Sequence, residues 1–283
     1  MHWQTTRFRI DLARPQVMGI VNLTPDSFSD AGLHADTAAA LARCEQMVAE
    51  GVDILDLGAE STRPGSKPVS VAEELARLLP VLDGALALGL PVSVDTNKPE
   101  VMAAALAHGA DIINDINALQ SPGALDVVAA HPACGVCLMH MRGTPESMQS
   151  SPAYDDDVVQ EVSRFLDSRV QALEAGGVAA ERIVLDPGIG FGKSVEHNLE
   201  LLRRQHELLA LGRPLLLGWS RKSTLGALTR RDVTQRLAAS LAAALAAVQR
   251  GARIVRVHDV APTVDALRVW QAAGLGHAES WPR

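Results

Sequence analysis

The chain has 283 residues, 47% hydrophobic and 21% charged, which is enough to bury a substantial core in one or two domains. Its formal net charge of −7 excludes general nucleic-acid affinity, so an anionic ligand needs a local cluster of cations. No apolar run reaches the ~18 residues of a spanning helix, the opening Met1-His-Trp-Gln-Thr-Thr-Arg7 lacks a signal-peptide core, and three cysteines cannot all pair, so a soluble cytoplasmic protein is expected.

Read by period, the chain alternates short β-branched runs with helical segments. Strands are predicted at 17–22, 54–58, 92–95, 112–116, 136–139, 183–186, 215–218 and 254–257. Helical patterns lie between them, among them 37–50, 71–88, 99–107, 156–175 and 232–250. Strands buried on both faces read as continuous apolar runs, and these do. Eight strands in units of about 35 residues favour a single (β/α)8 TIM barrel, one domain over 1–283. The competing architecture is an open doubly wound sheet, which usually has fewer strands and one clear switch point.

Each predicted strand ends on a polar group or a glycine. In order these are Asn22, Gly58 with Glu60, Asp95, Asn114 with Asp115, His140, Asp186, Gly218, and Arg256 with His258. In a barrel these ends converge on one mouth, where catalytic groups sit. A lone acid there often caps the next helix, but capping is a strained explanation for amides, acids and bases at most of the ends. The longer segments 23–36, 59–70 and 140–155 are the natural lids.

Asp186-Pro-Gly-Ile-Gly-Phe-Gly-Lys-Ser194 has the setting of a phosphate-cradling loop, between a strand and a helix. That loop needs its first glycine at position 187, where Pro187 stands without the N–H that such a loop points at phosphate. Pro187 and the lack of a strand-borne magnesium acid argue against a P-loop ATPase, and the glycine spacing also misses the dinucleotide fingerprint. Cys134-Gly-Val-Cys137 has the spacing of a redox or half-zinc motif, yet it begins a strand, where residues three apart point to opposite faces. Both cysteines are therefore expected to be structural.

At Met18-Gly-Ile-Val-Asn-Leu-Thr-Pro-Asp-Ser-Phe-Ser-Asp30 the sequence resembles the dihydropteroate synthases. The resemblance continues at Gly58–Gly65, Val94–Pro99, Ile113–Asp115, Met139–Met141, Asp186–Lys193, Ser220–Ser223 and Arg256–Val260, in the family's order. Ala31, Ala59, Asn97, Asn117 and Trp219 depart from the usual pattern. None of these removes a charged ligand; Trp219 could narrow the mouth or alter sulfonamide tolerance.

The resemblance implies condensation of 6-hydroxymethyl-7,8-dihydropterin diphosphate with 4-aminobenzoate. The fit to residue chemistry is independent of it: a pterin presents adjacent N–H donors that a carboxylate accepts side by side. By resemblance Asp95, Asp186 and Asn114 hold the pterin, and Lys222 reaches its carbonyl and nearby ring nitrogen. Arg256 and His258 take the diphosphate, with Asn22 on a Mg2+ that the diphosphate carries. Thr62, Pro64, Phe191 and Ser223 line the aminobenzoate side, with Phe28 covering it. Arg63, Met139 and Gly218 complete the substrate-lining positions. Asp95, Lys222, Arg256 and His258 are implied to act in catalysis. For any one acid taken alone, a cap or an ion pair is as natural a role, and for Arg256 the bland alternative is a rim salt bridge to Asp259. A catalytically silent pterin-binding relative is the second functional reading. The resemblance also implies a homodimer through late helices, and the small-sided run Leu237–Val248 suits such a contact.

Overall fold

The computed structural model describes residues 1–24, 33–61, 65–145, 148, 154 and 157–275. The chain opens with an antiparallel hairpin, β1 (His2–Gln4) and β2 (Arg9–Asp11). Eight parallel strands follow: β3 (Gln16–Asn22), β4 (Ile54–Gly58), β5 (Val92–Asp95), β6 (Ile112–Asp115), β7 (Gly135–Met139), β8 (Ile183–Asp186), β9 (Leu215–Leu217) and β10 (Ala252–Val257). They pair in chain order, and β10 returns to β3 to close the barrel. The open-sheet alternative is thereby excluded.

Between the strands run α1 (Leu33–Glu50), α2 (Val71–Leu86), α3 (Pro99–His108), α4 (Ala124–Ala130), α5 (Val158–Ala175) and α6 (Val195–Arg203). After β9 come α7 (Ser223–Thr229) and α8 (Leu237–Gln249), and α9 (Val260–Ala272) follows β10. The starts are chemically marked. Ser70 accepts from the Glu73 N–H, Asp157 accepts from Val159 and Gln160, and Ser194 with His197 forms a capping box. The helical pattern predicted over 232–250 is broken in the structure. A short 3₁₀ turn at Val233–Gln235 precedes α8, which begins at Leu237. No described helix is long and apolar enough to cross a membrane.

The hairpin seals the end of the barrel where the strands begin. Trp3, Ile10 and Leu12 pack onto the lower interior layer of Met18, Ile54, Ile112, Cys137, Val184, Leu216 and Ile254. Trp3 is fully buried and its Nε1 donates to the Arg182 carbonyl at 2.9 Å. Arg7 fastens the same segment by donating to both carboxylate oxygens of the buried Asp111, at 3.1 Å and 2.7 Å. Cys137 belongs to this interior layer and Cys134 to the separate shell between strands and helices, as the two-face argument requires. All three cysteines are free thiols.

Truncating Trp3 should open a cavity under the whole barrel. Trp3→Ala is expected to cost about 3–5 kcal/mol of stability, read as a lower thermal midpoint, while pterin binding in the cold is retained. An unchanged midpoint would show that the hairpin is not part of the cooperative unit.

Two residues further along each strand the same inward face recurs. There the interior changes character: Asp56, Asn114, Asp186 and Arg256 replace the aliphatic layer, with Ser93 and Asp95 on β5 beside them. Inside the barrel the charges therefore lie at the opposite end from the plug.

Candidate active site

Arg256 sits at the centre of this polar layer. Its Nε donates to Asp56 and its Nη2 to Asp95, each at 2.6 Å. Asp56 is fully buried and Asp95 nearly so, at 0% and 8% exposure. Burial pushes the Asp95 carboxyl up to about 7, helped by the charges of Asp56, Asp115 and Glu74 and opposed by Arg256. Burial alone would pull Arg256 down, but its two carboxylate partners hold it above the ordinary guanidinium range. The Asn114 amide turns its Nδ2 toward Asp56, at 3.3 and 3.5 Å. The rim acid Asp259 pairs instead with Arg221 at 2.5 Å, so it is not the partner of Arg256.

A second constellation forms where β8 and β9 end. The Asp186 carboxylate accepts the Gly188 N–H at 2.7 Å and is 6% exposed. Burial raises this carboxyl, against that hydrogen bond and the charge of Lys222. Lys222 is pulled down to about 8 by burial, while Asp186 and Asp95 act to raise it. Its Nζ lies 4.1 Å from the centroid of the Phe191 ring, a cation–π contact. Nearby, His258 Nδ1 and Ser220 Oγ are 3.0 Å apart. Burial, with the charges of Arg221 and Arg256, pushes His258 down to about 3, so the ring is neutral at physiological pH.

The glycine loop before Lys193 is fastened by inward contacts. Gly188, Gly190 and Gly192 all have positive φ, and a Cβ on Gly188 would come within 1.8 Å of the His140 carbonyl oxygen. Lys193 is buried with its Nζ 2.8 Å from His140 Nδ1, and it donates to the carbonyls of Gly188 at 3.0 Å and Phe191 at 3.1 Å. Burial pulls its ammonium down to about 7. A lysine turned inward onto carbonyls cannot grip a nucleotide phosphate, which removes the phosphate-loop reading on geometry.

A family model described as pterin binding enzyme matches residues 18–258. Over 279 residues the chain is 53% identical to the dihydropteroate synthase of Neisseria meningitidis serogroup B, covering 96% of this chain and 98% of that one. The chain belongs to the dihydropteroate synthases, within the pterin binding enzymes. The structure agrees with solved synthases. That of Xanthomonas albilineans with 4-aminobenzoic acid matches with a TM-score of 0.90 and 50% identity over 100% of both chains. That of Burkholderia cenocepacia complexed with 7,8-dihydropteroate matches with a TM-score of 0.87 and 50% identity over 96% of each.

Of the residues expected at the mouth of this synthase, Asp95, Asn114 and Arg256 are joined by the hydrogen bonds above through Asp56, and Asp186 and Lys222 act on each other and on Arg256 through charge. Phe191 and His258 border them through Lys222 and Arg256. Met139 is 4% exposed at the end of β7, and Asn22 is half-buried at the end of β3. Gly218 follows β9, and Ser223 is exposed at the start of α7. Thr62, Arg63, Pro64 and Phe28 lie outside the described residues.

Several polar strand ends have other work. Glu60 pairs with Lys98, and Asp115 accepts the Asn117 and Leu119 N–H groups, each at 2.7 Å, to hold a tight turn. His140 faces Lys193. Trp219 corrects an expectation: it is 2% exposed and packed in the shell between strands and helices, so its ring does not narrow the mouth. Asp56 was not among the expected residues. Its signal was an acid inside the apolar run Ile54-Leu-Asp-Leu-Gly58, on the same face as the inward Ile54.

Proposed function

We infer that the chain, a transferase by its family, condenses 6-hydroxymethyl-7,8-dihydropterin diphosphate with 4-aminobenzoate to give 7,8-dihydropteroate and diphosphate by electrostatic assistance at this mouth. The whole chain serves as one pterin-binding domain. The observation that carries the reading is the convergence of Asp95, Asn114, Asp186, Lys222 and Arg256 at one end of a barrel plugged at the other. Asp186 and Asp95 suit the adjacent donors of the amino-pyrimidinone edge, and Lys222 suits its carbonyl.

No nucleophile–base pair is required, because an aromatic amine already carries a lone pair. The hard step is cleavage of the CH2–O bond, whose electron pair leaves with the diphosphate while positive charge develops on the pterin methylene. Arg256 with neutral His258 stabilises the leaving anion, and the Asp95 carboxylate faces the developing cation. Exclusion of water would protect that cation; the segments 23–36, 59–70 and 140–155 expected to provide it lie partly outside the described residues. The family resemblance implies an SN1-like path, with direct displacement as the alternative.

Asn22 offers a hard amide oxygen, and no described cluster of three acidic, thiol or imidazole groups could hold a metal by itself. That donor set fits a Mg2+ held jointly with substrate phosphates. When bound, the ion would neutralise leaving-group charge. Dihydropteroate formation by purified protein with both substrates and Mg2+ tests the assignment. Tight pterin binding without turnover would favour the silent relative instead.

The two titrating groups give the reaction a sign in pH. Asp95 acts as the anion, so kcat/KM should fall as pH drops through about 7, where the buried carboxyl takes up a proton. Lys222 acts as the cation, so it should fall again as pH rises through about 8, where the ammonium is lost. A rate profile flat across both limbs would refute these roles.

A homodimer is the expected assembly. Ala243, Ala244 and Ala247 of α8 are buried within the chain itself, which is the bland use of small residues. The outer face still carries Leu237, Ala238, Leu241, Ala242 and Leu245, exposed or half-exposed, and Leu228 and Val233 are exposed in the adjoining segment. Light scattering should give about twice the 30.0 kDa of one chain, and 30.0 kDa at micromolar concentration would count against it. The cytoplasm, where three free thiols persist, is the fitting compartment.

A further inference from the structure

We propose that Asp56 is the positioning residue of the mouth: a buried carboxylate that fixes which edges of Asn114 and Arg256 meet the ligand. The proposal rests on the synthase reading but acts through neither substrate directly. Asp56 has no exposed surface, stands one strand from Asp95, and faces inward from β4. Next to a carboxylate, an amide must present its NH2 group, and Asn114 does so. That leaves the Asn114 carbonyl oxygen for the ligand, an acceptor that selects a heterocycle presenting N–H. Arg256 is constrained in the same way. Its Nε is spent on Asp56 and its Nη2 on Asp95, and none of the described residues accepts from Nη1. One edge of the guanidinium is thus kept for an anion, while two carboxylates hold its plane. A single buried acid thereby sets donor and acceptor polarity at two neighbouring contacts.

Asp56→Asn keeps the volume and removes the charge. The amide oxygen can still accept from Arg256 Nε but without the charge, and its own NH2 can turn toward Asn114, so the hold on the guanidinium weakens and the Asn114 orientation is no longer fixed. Affinity for the bare 6-hydroxymethylpterin and for its diphosphate should each fall by at least about tenfold.

A second readout separates orientation from mere stability. The charged groups facing Asp95 are Asp56 on β4, Glu74 on α2, Asp115 on β6, Arg256 on β10 and Lys222 after β9. Removing the Asp56 charge deletes one repulsion and leaves Asp95 as the one anion hydrogen-bonded to Arg256 among the described residues. The acid limb of kcat/KM should therefore move to lower pH, whereas a purely structural residue would lower the melting temperature and leave the limb in place. Asn114→Ala, with Asp56 intact, should lose pterin affinity while the limb stays.

The wild type supplies a measurement that needs no folded variant. The Arg256 Nε–H should exchange slowly by NMR, and its guanidinium should rotate slowly. Fast exchange with free rotation, or wild-type affinity and an unmoved limb in Asp56→Asn, would overturn the proposal. A wild type that makes no dihydropteroate would instead sink the catalytic reading, and the pterin titrations would still judge Asp56.

Discussion

Arg256→Ala is expected to abolish turnover and to destabilise the protein at the same time. The side chain is the shared cation of two buried carboxylates, so its loss leaves Asp56 and Asp95 facing each other without compensation. Breaking a buried pair by deleting one partner costs about 3–5 kcal/mol, and the damage is concentrated at the mouth. Asp95 should respond by holding its proton to still higher pH, because the charge that opposes its upward shift has gone. This coupling decides how ligand experiments will read. If Arg256 only gripped diphosphate, the bare 6-hydroxymethylpterin would bind the variant as it binds the wild type. Since Arg256 also holds Asp95, both ligands should bind more weakly, the diphosphate ester by the larger factor. Thermal denaturation with titration of the two pterins settles it. An unchanged melting temperature with loss confined to the diphosphate ligand would show that the ion-paired arrangement contributes nothing to the mouth.

Asp186→Asn should weaken pterin binding by about 2–4 kcal/mol with the fold intact by circular dichroism. The substitution keeps the size of the side chain, and an amide oxygen can still accept the Gly188 N–H that orders the loop. What it removes is the anion, leaving an NH2 group opposed to N–H donors on the ligand. Both pterins should lose affinity by similar factors, in contrast to the unequal losses at Arg256. Lys222 would also lose the neighbour that holds its ammonium up, so the alkaline limb of the rate profile should move to lower pH. Unchanged affinity would return Asp186 to the role of a loop cap.

The barrel strands were legible because each is buried on both faces and reads as an unbroken apolar run ending in a chemical group. Short elements carried less signal. The strands of the N-terminal hairpin have three residues each, too few for a period, and α4 and α7 span barely two turns. At the mouth the sequence showed which residues could act but not which already had partners. Glu60, Asp115 and His140 occupy the same strand-end positions as the residues assigned to the ligand, and only three-dimensional neighbours such as Lys98 and Lys193 give them other work. Asp56 was hidden for the converse reason. Its position short of the strand end looks like core, and its importance comes from Arg256, two hundred residues away in the chain.

The hairpin plug also constrains how the protein can come into being. Its fastenings join Arg7 to Asp111 and Trp3 to the Arg182 carbonyl, separations of 104 and 179 residues. This segment precedes the barrel in the chain and therefore waits for residues as far on as Arg182 before its tryptophan has anything to cover. Contacts this distant slow folding, because the loop-closure entropy is spent before the contact forms. During elongation Trp3, Ile10 and Leu12 remain an apolar tail on an unfinished barrel, a surface open to chaperones or to misassociation. Seating of the plug is therefore expected late in folding, and pulsed hydrogen exchange should protect the Trp3 indole N–H after the barrel strands.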